Sequence, residues 1–164
     1  MLTSGNVPKP TLADRFRWCE PQAVANDEPG LEDPVEVLDV ARATGVWVVR
    51  STSNTVYLLD LDRGRLMRAR GAGSPEFPFD DQWVPLVEVT SRDELLRPVR
   101  TGEVRVGERP EYLTDPGGGL VAFEWRIQRV VTVIERVADE EAAALRELAP
   151  DGQDSPGGDR HASR

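Results

Sequence analysis

The chain has few of the residues that most often carry chemistry. Its 164 residues include one histidine, one cysteine and one lysine. His161 stands near the end of a Gly/Asp/Ser stretch, where nothing orients it as a general base or as partner to a nucleophile. Cys19 has no second cysteine, which excludes an internal disulfide, and no base is predicted beside it. Together these absences remove Ser-His-Asp, Cys-His and zinc chemistry, and no residue pattern calls for a cofactor. No run approaches the roughly 18 apolar residues that a membrane helix requires. No apolar leader follows Met1-Leu2-Thr3-Ser4-Gly5, so the sequence reads as cytoplasmic and without membrane association.

Charge is plentiful but one-sided. The formal net charge is −9, and Lys9 is the sole lysine among 20 basic residues. An arginine bias of this kind fits the codon usage of a GC-rich genome. Residues 1–44 carry 4 basic and 8 acidic side chains, residues 45–137 carry 13 and 14, and residues 138–164 carry 3 and 7. The middle is near neutral and the flanks are acidic. Nucleic-acid backbone binding draws its affinity from neutralised phosphates, so an acidic chain speaks against it. Acidic flanks would instead steer the protein toward a basic protein partner.

What is present is β patterning. Gly45-Val46-Trp47-Val48-Val49-Arg50 and Val56-Tyr57-Leu58-Leu59-Asp60 flank the polar run Ser51-Thr52-Ser53-Asn54-Thr55, a hairpin signal. A turn at Arg63-Gly64 leads to a strand over 66–70, and residues 71–81 form a Gly/Pro loop. Strand character resumes over 83–89, with Pro85 favouring an edge position. Shorter strands are expected over 104–106 and 112–114. Asp115-Pro116-Gly117-Gly118-Gly119 makes a hairpin loop before the best-alternating strand. There Val121, Phe123, Trp125 and Ile127 share one face, and Glu124, Arg126 and Gln128 share the other. Residues 130–134 extend this strand or form a further one after a bend.

Helices are expected at the flanks. Asp33-Pro34-Val35-Glu36 has the form of a capping box with proline at the first helical position. It predicts a helix over 34–43 that buries Leu31, Val35 and Leu38 and stops at Gly45. Ser91-Arg92-Asp93-Glu94 predicts one helical turn ended by Pro98, and residues 139–148 are Ala- and Glu-rich. The fold class is therefore mainly β: a small antiparallel curled or barrel-like sheet with short flanking helices. Its bounds are 31–148, between a mostly disordered arm over 1–30 and a disordered tail over 149–164. Within the arm, Leu12, Phe16 and Trp18 form an apolar island that packs on the domain or anchors in a partner's groove.

Several groups invite a chemical reading. Asp60 and Asp62 alternate along a strand and could share a divalent metal, although a hard cation needs further oxygen ligands. Gly117-Gly118-Gly119 and Gly71-Ala72-Gly73 lack the residues of a phosphate loop and read as turns. On one strand Arg65 points opposite to Arg68 and Arg70, so the arginine run pairs with acids rather than forming a basic face. Trp47, Tyr57, Trp83, Phe123 and Trp125 read as core, with Trp83 notable for flanking the long loop.

The segment Gly45-x-Trp47-x-Val49, then Ser53, Tyr57, Leu59-Asp60-Leu61-Asp62 and Arg70-Gly71, is one half of a pattern. The other half is Val104-Arg105-Val106-Gly107-Glu108-Arg109-Pro110 with the closing Val131-Thr132-Val133-Ile134-Glu135. Across residues 45–135 this resembles a group of small uncharacterised actinobacterial proteins. The chain departs from them by placing Arg109 between Glu108 and Pro110 and by its long flanks. The resemblance implies a β fold and a bacterial origin, and it transfers no active site.

The functional expectation is a non-enzymatic protein-interaction module in a mobile-element or phage-related setting. Its candidate contact residues are Phe16, Trp18, Glu76, Asp80, Asp81 and Trp83. One alternative is an acidic inhibitor or immunity-type protein masking a basic site through Glu76, Asp80 and Asp81. Another is a metal-dependent ligand binder or enzyme using Asp60 and Asp62.

Overall fold

A computed structural model describes residues 11–16 and 30–148. In chain order its elements are α1 (Leu12–Arg15), β1 (Val37–Asp39), β2 (Val46–Ser51), β3 (Val56–Asp60), β4 (Arg65–Ala69) and β5 (Trp83–Arg92). They continue as β6 (Pro98–Thr101), β7 (Glu103–Arg105), β8 (Arg109–Thr114), β9 (Glu124–Ile127), β10 (Val131–Arg136) and α2 (Asp139–Leu148). The strands are antiparallel, in the order β10-β2-β3-β4-β5-β8-β9 with β6 also on β5, and β1 and β7 pair separately.

Near-continuous apolar runs in β2, β3 and β4 predict strands covered on both faces, and every residue of β3 and β4 is buried. On one face Val46, Val48, Val56, Leu58, Met67 and Trp83 pack under Ala142 and Leu145 of α2 and under Ala13 and Phe16 of the α1 segment. On the other face Val49, Tyr57, Leu59 and Leu66 meet Val89, Tyr112 and Ile134. Tyr57 of β3 stacks on Tyr112 of β8 with ring centroids 4.9 Å apart. Two strands lie between β3 and β8 in the sheet order, so this contact requires the sheet to curl. The curl does not close: β9 and β10 end the order without pairing to each other.

Four expectations are corrected. The helix over 34–43 is absent; Val37–Asp39 instead pairs with Glu103–Arg105, and the Val35 N–H donates to the Ile134 carbonyl at 2.8 Å. The β-branched Val35, Val37 and Val40 gain more from extended, paired backbone than from a helix, and Asp39 caps the following turn by accepting from the Ala41 N–H. The helical turn at Ser91 is also absent, because β5 runs on to Arg92 and the Ser91 hydroxyl donates to the Glu103 carbonyl. Asp93 instead accepts from the Leu95 and Arg97 N–H groups in a tight turn. Pro85 lies inside the sheet, at the point where β5 leaves β4 and takes up β8, so its missing N–H breaks no ladder. The fourth concerns β9. Glu124 and Arg126 face inward, half-buried, while Phe123 is 53% and Trp125 65% exposed.

Phe16 is fully buried, and its carbonyl accepts from Arg50 Nε, so this part of the expected arm belongs to the core. The rest of the arm, the tail, and Trp18, Cys19 and His161 lie outside the described residues. Phe16→Ala should cost about 3–5 kcal/mol, as for other buried aromatic truncations. Urea unfolding followed by circular dichroism would show one cooperative transition at a lower midpoint; an unchanged midpoint would mean that the segment is not part of the core.

Candidate functional site

The incomplete curl leaves a cleft of about 890 Å³ between β9, the β2–β3 turn and the loop after β4. Its deep part is lined by the buried Tyr57, Arg68 and Gln128, and Phe123, Trp125 and Ile127 form one lip. Gln128 ties the seam together: its Oε1 accepts from the Tyr112 hydroxyl at 2.8 Å and its Nε2 donates to the Val49 carbonyl at 3.0 Å. That polar span is why the alternating strand turns its polar side inward. A leucine at Gln128 would leave the buried Tyr112 hydroxyl without its acceptor.

Arginines from β4 and β9 hold the loop after β4 in place. Arg68 pairs with Asp80 at 2.5 Å and donates to the Pro75 carbonyl. Arg126 pairs with Glu124 at 2.8 Å and donates to the Pro78 carbonyl. Their guanidinium carbons lie 4.6 and 4.9 Å from the Phe77 ring centroid, so two cations fix one aromatic of the loop. Gly71 fixes the loop's start, since a Cβ there would sit 2.0 Å from the Asn54 carbonyl oxygen. Burial raises the Tyr57 hydroxyl above its usual range despite the neighbouring Arg68, and raises Tyr112 well above it. Both stay protonated at neutral pH.

No family model, curated protein or solved structure matches the chain.

The residues singled out from sequence fall into distinct places. Phe16 and Trp83 are core, and Trp83 Nε1 donates to the Leu145 carbonyl at 3.3 Å under α2. Asp80 is buried against Arg68, Asp81 accepts from the Arg70 N–H, and Glu76 pairs with Arg70 at 2.9 Å. These three carboxylates fasten the loop to the end of β4, Asp80 buried and Glu76 and Asp81 exposed. Sequence reading took the residues now forming the lip, Phe123 and Trp125, as core. The signal that could have found them was the Gly-rich loop before β9, which suits an end strand.

Asp60 and Asp62 meet arginine. Arg146 of α2 grips both oxygens of Asp60, at 2.9 and 2.7 Å, and reaches Asp62 at 2.8 Å; Arg65 adds a bond of 3.1 Å to Asp60. The Gly45 N–H donates to the second Asp62 oxygen. Among the described residues no cluster of His, Cys, Asp and Glu has a metal-binding arrangement. Burial alone would raise the Asp60 carboxyl, but the hydrogen bonds from Arg146 and Arg65 outweigh it and hold the group below the usual carboxylate range. Asp62 is lowered by the Gly45 N–H and then by Arg146. Among the described residues no helix is long and apolar enough to cross a membrane.

Both depressed carboxyls contribute stability at neutral pH, where they are ionised folded or unfolded. That contribution falls as pH drops below about 4, because the unfolded chain then binds the protons first. Asp60→Ala removes the fully buried carboxylate that Arg65 and the half-buried Arg146 share and should cost about 3 kcal/mol, whereas Glu76→Ala should change stability by under about 0.5 kcal/mol. Urea midpoints at pH 7 and pH 3 test both points: the wild type should lose more on acidification than Asp60→Asn does. Gly71→Ala should cost about 1–3 kcal/mol by overpacking against Asn54; an unchanged thermal midpoint would show that the loop start is not fixed there.

Proposed function

We infer that the protein is a non-enzymatic interaction module whose contact face is the β9 lip of the cleft. One observation carries the reading. Phe123, Trp125 and Ile127 stand exposed in a row on an end strand, with Val121 before them and Val87 of β5 on the same sheet. Folded chains seldom leave such a patch uncovered unless a partner covers it, and aromatic residues carry much of the binding energy at interfaces. The surrounding chemistry fits binding better than turnover. Tyr57 in the cleft and the Tyr112 stacked on it hold their protons, and Arg68 and Arg126 are fastened to Asp80 and Glu124.

A masking role toward a basic partner draws less support, because Asp80 and Asp81 are engaged within the loop. A metal-dependent role draws less support too, because guanidinium donors occupy Asp60 and Asp62. At the cleft the local charge also departs from the chain's: its lining carries Arg68, Arg126 and Arg129 against Glu124. The partner surface that meets it is therefore apolar with acidic groups.

The test is a photo-crosslinking residue at Trp125 in cells, compared with one at Glu147 on α2. A protein crosslinked at position 125 and not at 147 supports the reading. A partner captured at 147 alone would overturn it. The paired change Phe123→Ser and Trp125→Ser should weaken the captured complex at least about tenfold while shifting stability by less than about 1 kcal/mol, as expected of exposed positions.

A further inference from the structure

The two ends of the curled sheet are treated differently, and the difference points to a binding mode. An end strand presents a row of unpaired N–H and C=O groups, and natural sheets cover, bulge or interrupt such edges. At the β10 end this has been done. The Glu32 N–H donates to the Arg136 carbonyl and the Val35 N–H to the Ile134 carbonyl, Leu31 bridges Val137, and the register of β10 on β2 is broken between Val131 and Val133. At the β9 end, among the described residues, there is no equivalent. β9 pairs with β8 in unbroken register, contains no proline, and has no strand on its other side.

The direction of its free groups follows from one bond. The Gln128 N–H donates to the Pro110 carbonyl at 2.9 Å, on the β8 side. Backbone groups alternate along an antiparallel strand, so those of Trp125 and Ile127 point the other way, toward the cleft. The same two residues line it.

We propose that the β9 edge accepts an acidic, extended peptide segment of a partner protein as an added strand, lying in the cleft. This rests on the reading of β9 as the contact face and goes further, by fixing the partner's conformation and charge. Space selects a lone strand. An added strand lies about 4.8 Å from its neighbour, and beyond it stand the β2–β3 turn and the loop pinned by Phe77. A second copy pairing edge to edge would drive its own β8 into those walls. A cleft of about 890 Å³ accommodates a short segment without its parent domain.

Charge selects the sequence. Arg68, Arg126 and Arg129 line the cleft against a single carboxylate, Glu124, in a chain of net charge −9. Arg68 and Arg126 have internal partners. Arg129 is exposed and has no ion-pair partner among the described residues, so a peptide carboxylate is expected there. Alternate side chains of the added strand fall on opposite faces. Apolar positions would pack on Phe123, Trp125 and Ile127, giving a pattern of alternating aliphatic and acidic residues.

The test uses the full chain and synthetic peptides of about seven residues, a typical strand length. One alternates valine with glutamate, a second replaces glutamate with lysine, and a third is the glutamate peptide N-methylated on alternate amides. Binding is read by fluorescence anisotropy and by hydrogen exchange at the Trp125 and Ile127 amides. The glutamate peptide should bind about tenfold tighter than the lysine peptide and slow exchange at both amides. N-methylation on the pairing edge should abolish that protection, and Arg129→Glu should reverse the charge preference. Equal or tighter binding of the lysine peptide would overturn the proposal, as would unprotected amides with every peptide at about 1 mM, where even weak specific binding registers. If the peptides fail while crosslinking at Trp125 still captures a protein, strand addition falls and the contact face stands. If both fail, the contact face falls with it.

Discussion

Strand β3 has no solvent-facing side, and the rest of the fold answers that constraint. Val56, Leu58 and Asp60 project to one face while Tyr57 and Leu59 project to the other, all buried. Each face therefore needs its own cover. On one side the cover is α2 with the short α1 segment. On the other it is the sheet itself, curled until β8 reaches β3 through the Tyr57–Tyr112 stack. A small chain supplies both covers with few helical residues because curling reuses strands as lid.

The same constraint explains the arginines. Asp60 ends β3 on the helix face with no exposure to solvent, a position where a carboxylate persists only when paired and hydrogen-bonded. Arg146 provides a fork that matches both oxygens, and Arg65 adds a third bond. A lysine offers a point charge and could not span Asp60 and Asp62 in this way. Arg68 and Arg126 likewise use their planar faces against Phe77 and their edges against backbone carbonyls. Whatever genomic bias supplied arginine, the fold exploits its geometry. The motif residues Asp60, Asp62, Gly71 and Gly107 also fall on structural positions. Asp60 and Asp62 hold α2, Gly71 sits against Asn54, and the Gly107 N–H donates to the Val131 carbonyl.

The cleft follows from where the curl stops. Gln128 draws the β9–β10 connection across to β2, and this seam has polar groups to satisfy, so β9 turns Glu124 and Arg126 toward it. Its apolar residues are left outside. The exposed lip and the closure thus share one cause: the polar face that completes the interior forces Phe123 and Trp125 outward.

Much of the fold was legible along the chain. The β2–β3 hairpin, the β4 strand, the loop over 71–81, the Gly-rich turn before β9 and the α2 helix follow from period, turn residues and composition, which are local properties. The failures were all non-local. The helix over 34–43 had sound capping residues but lost to pairing with β7, a partner about 65 residues away in sequence. Alternation in β9 showed that two faces exist and could not say which faces water, because that depends on what lies across the seam. The pairing of Arg65 and Arg68 with acids was foreseeable from charge balance, but not the burial of those pairs. The sequence by itself determined the class of structure, since that rests on which residues are present and how they alternate. Only the tertiary structure decided which apolar residues are core and which stay exposed, because burial belongs to the assembled sheet and not to any one strand.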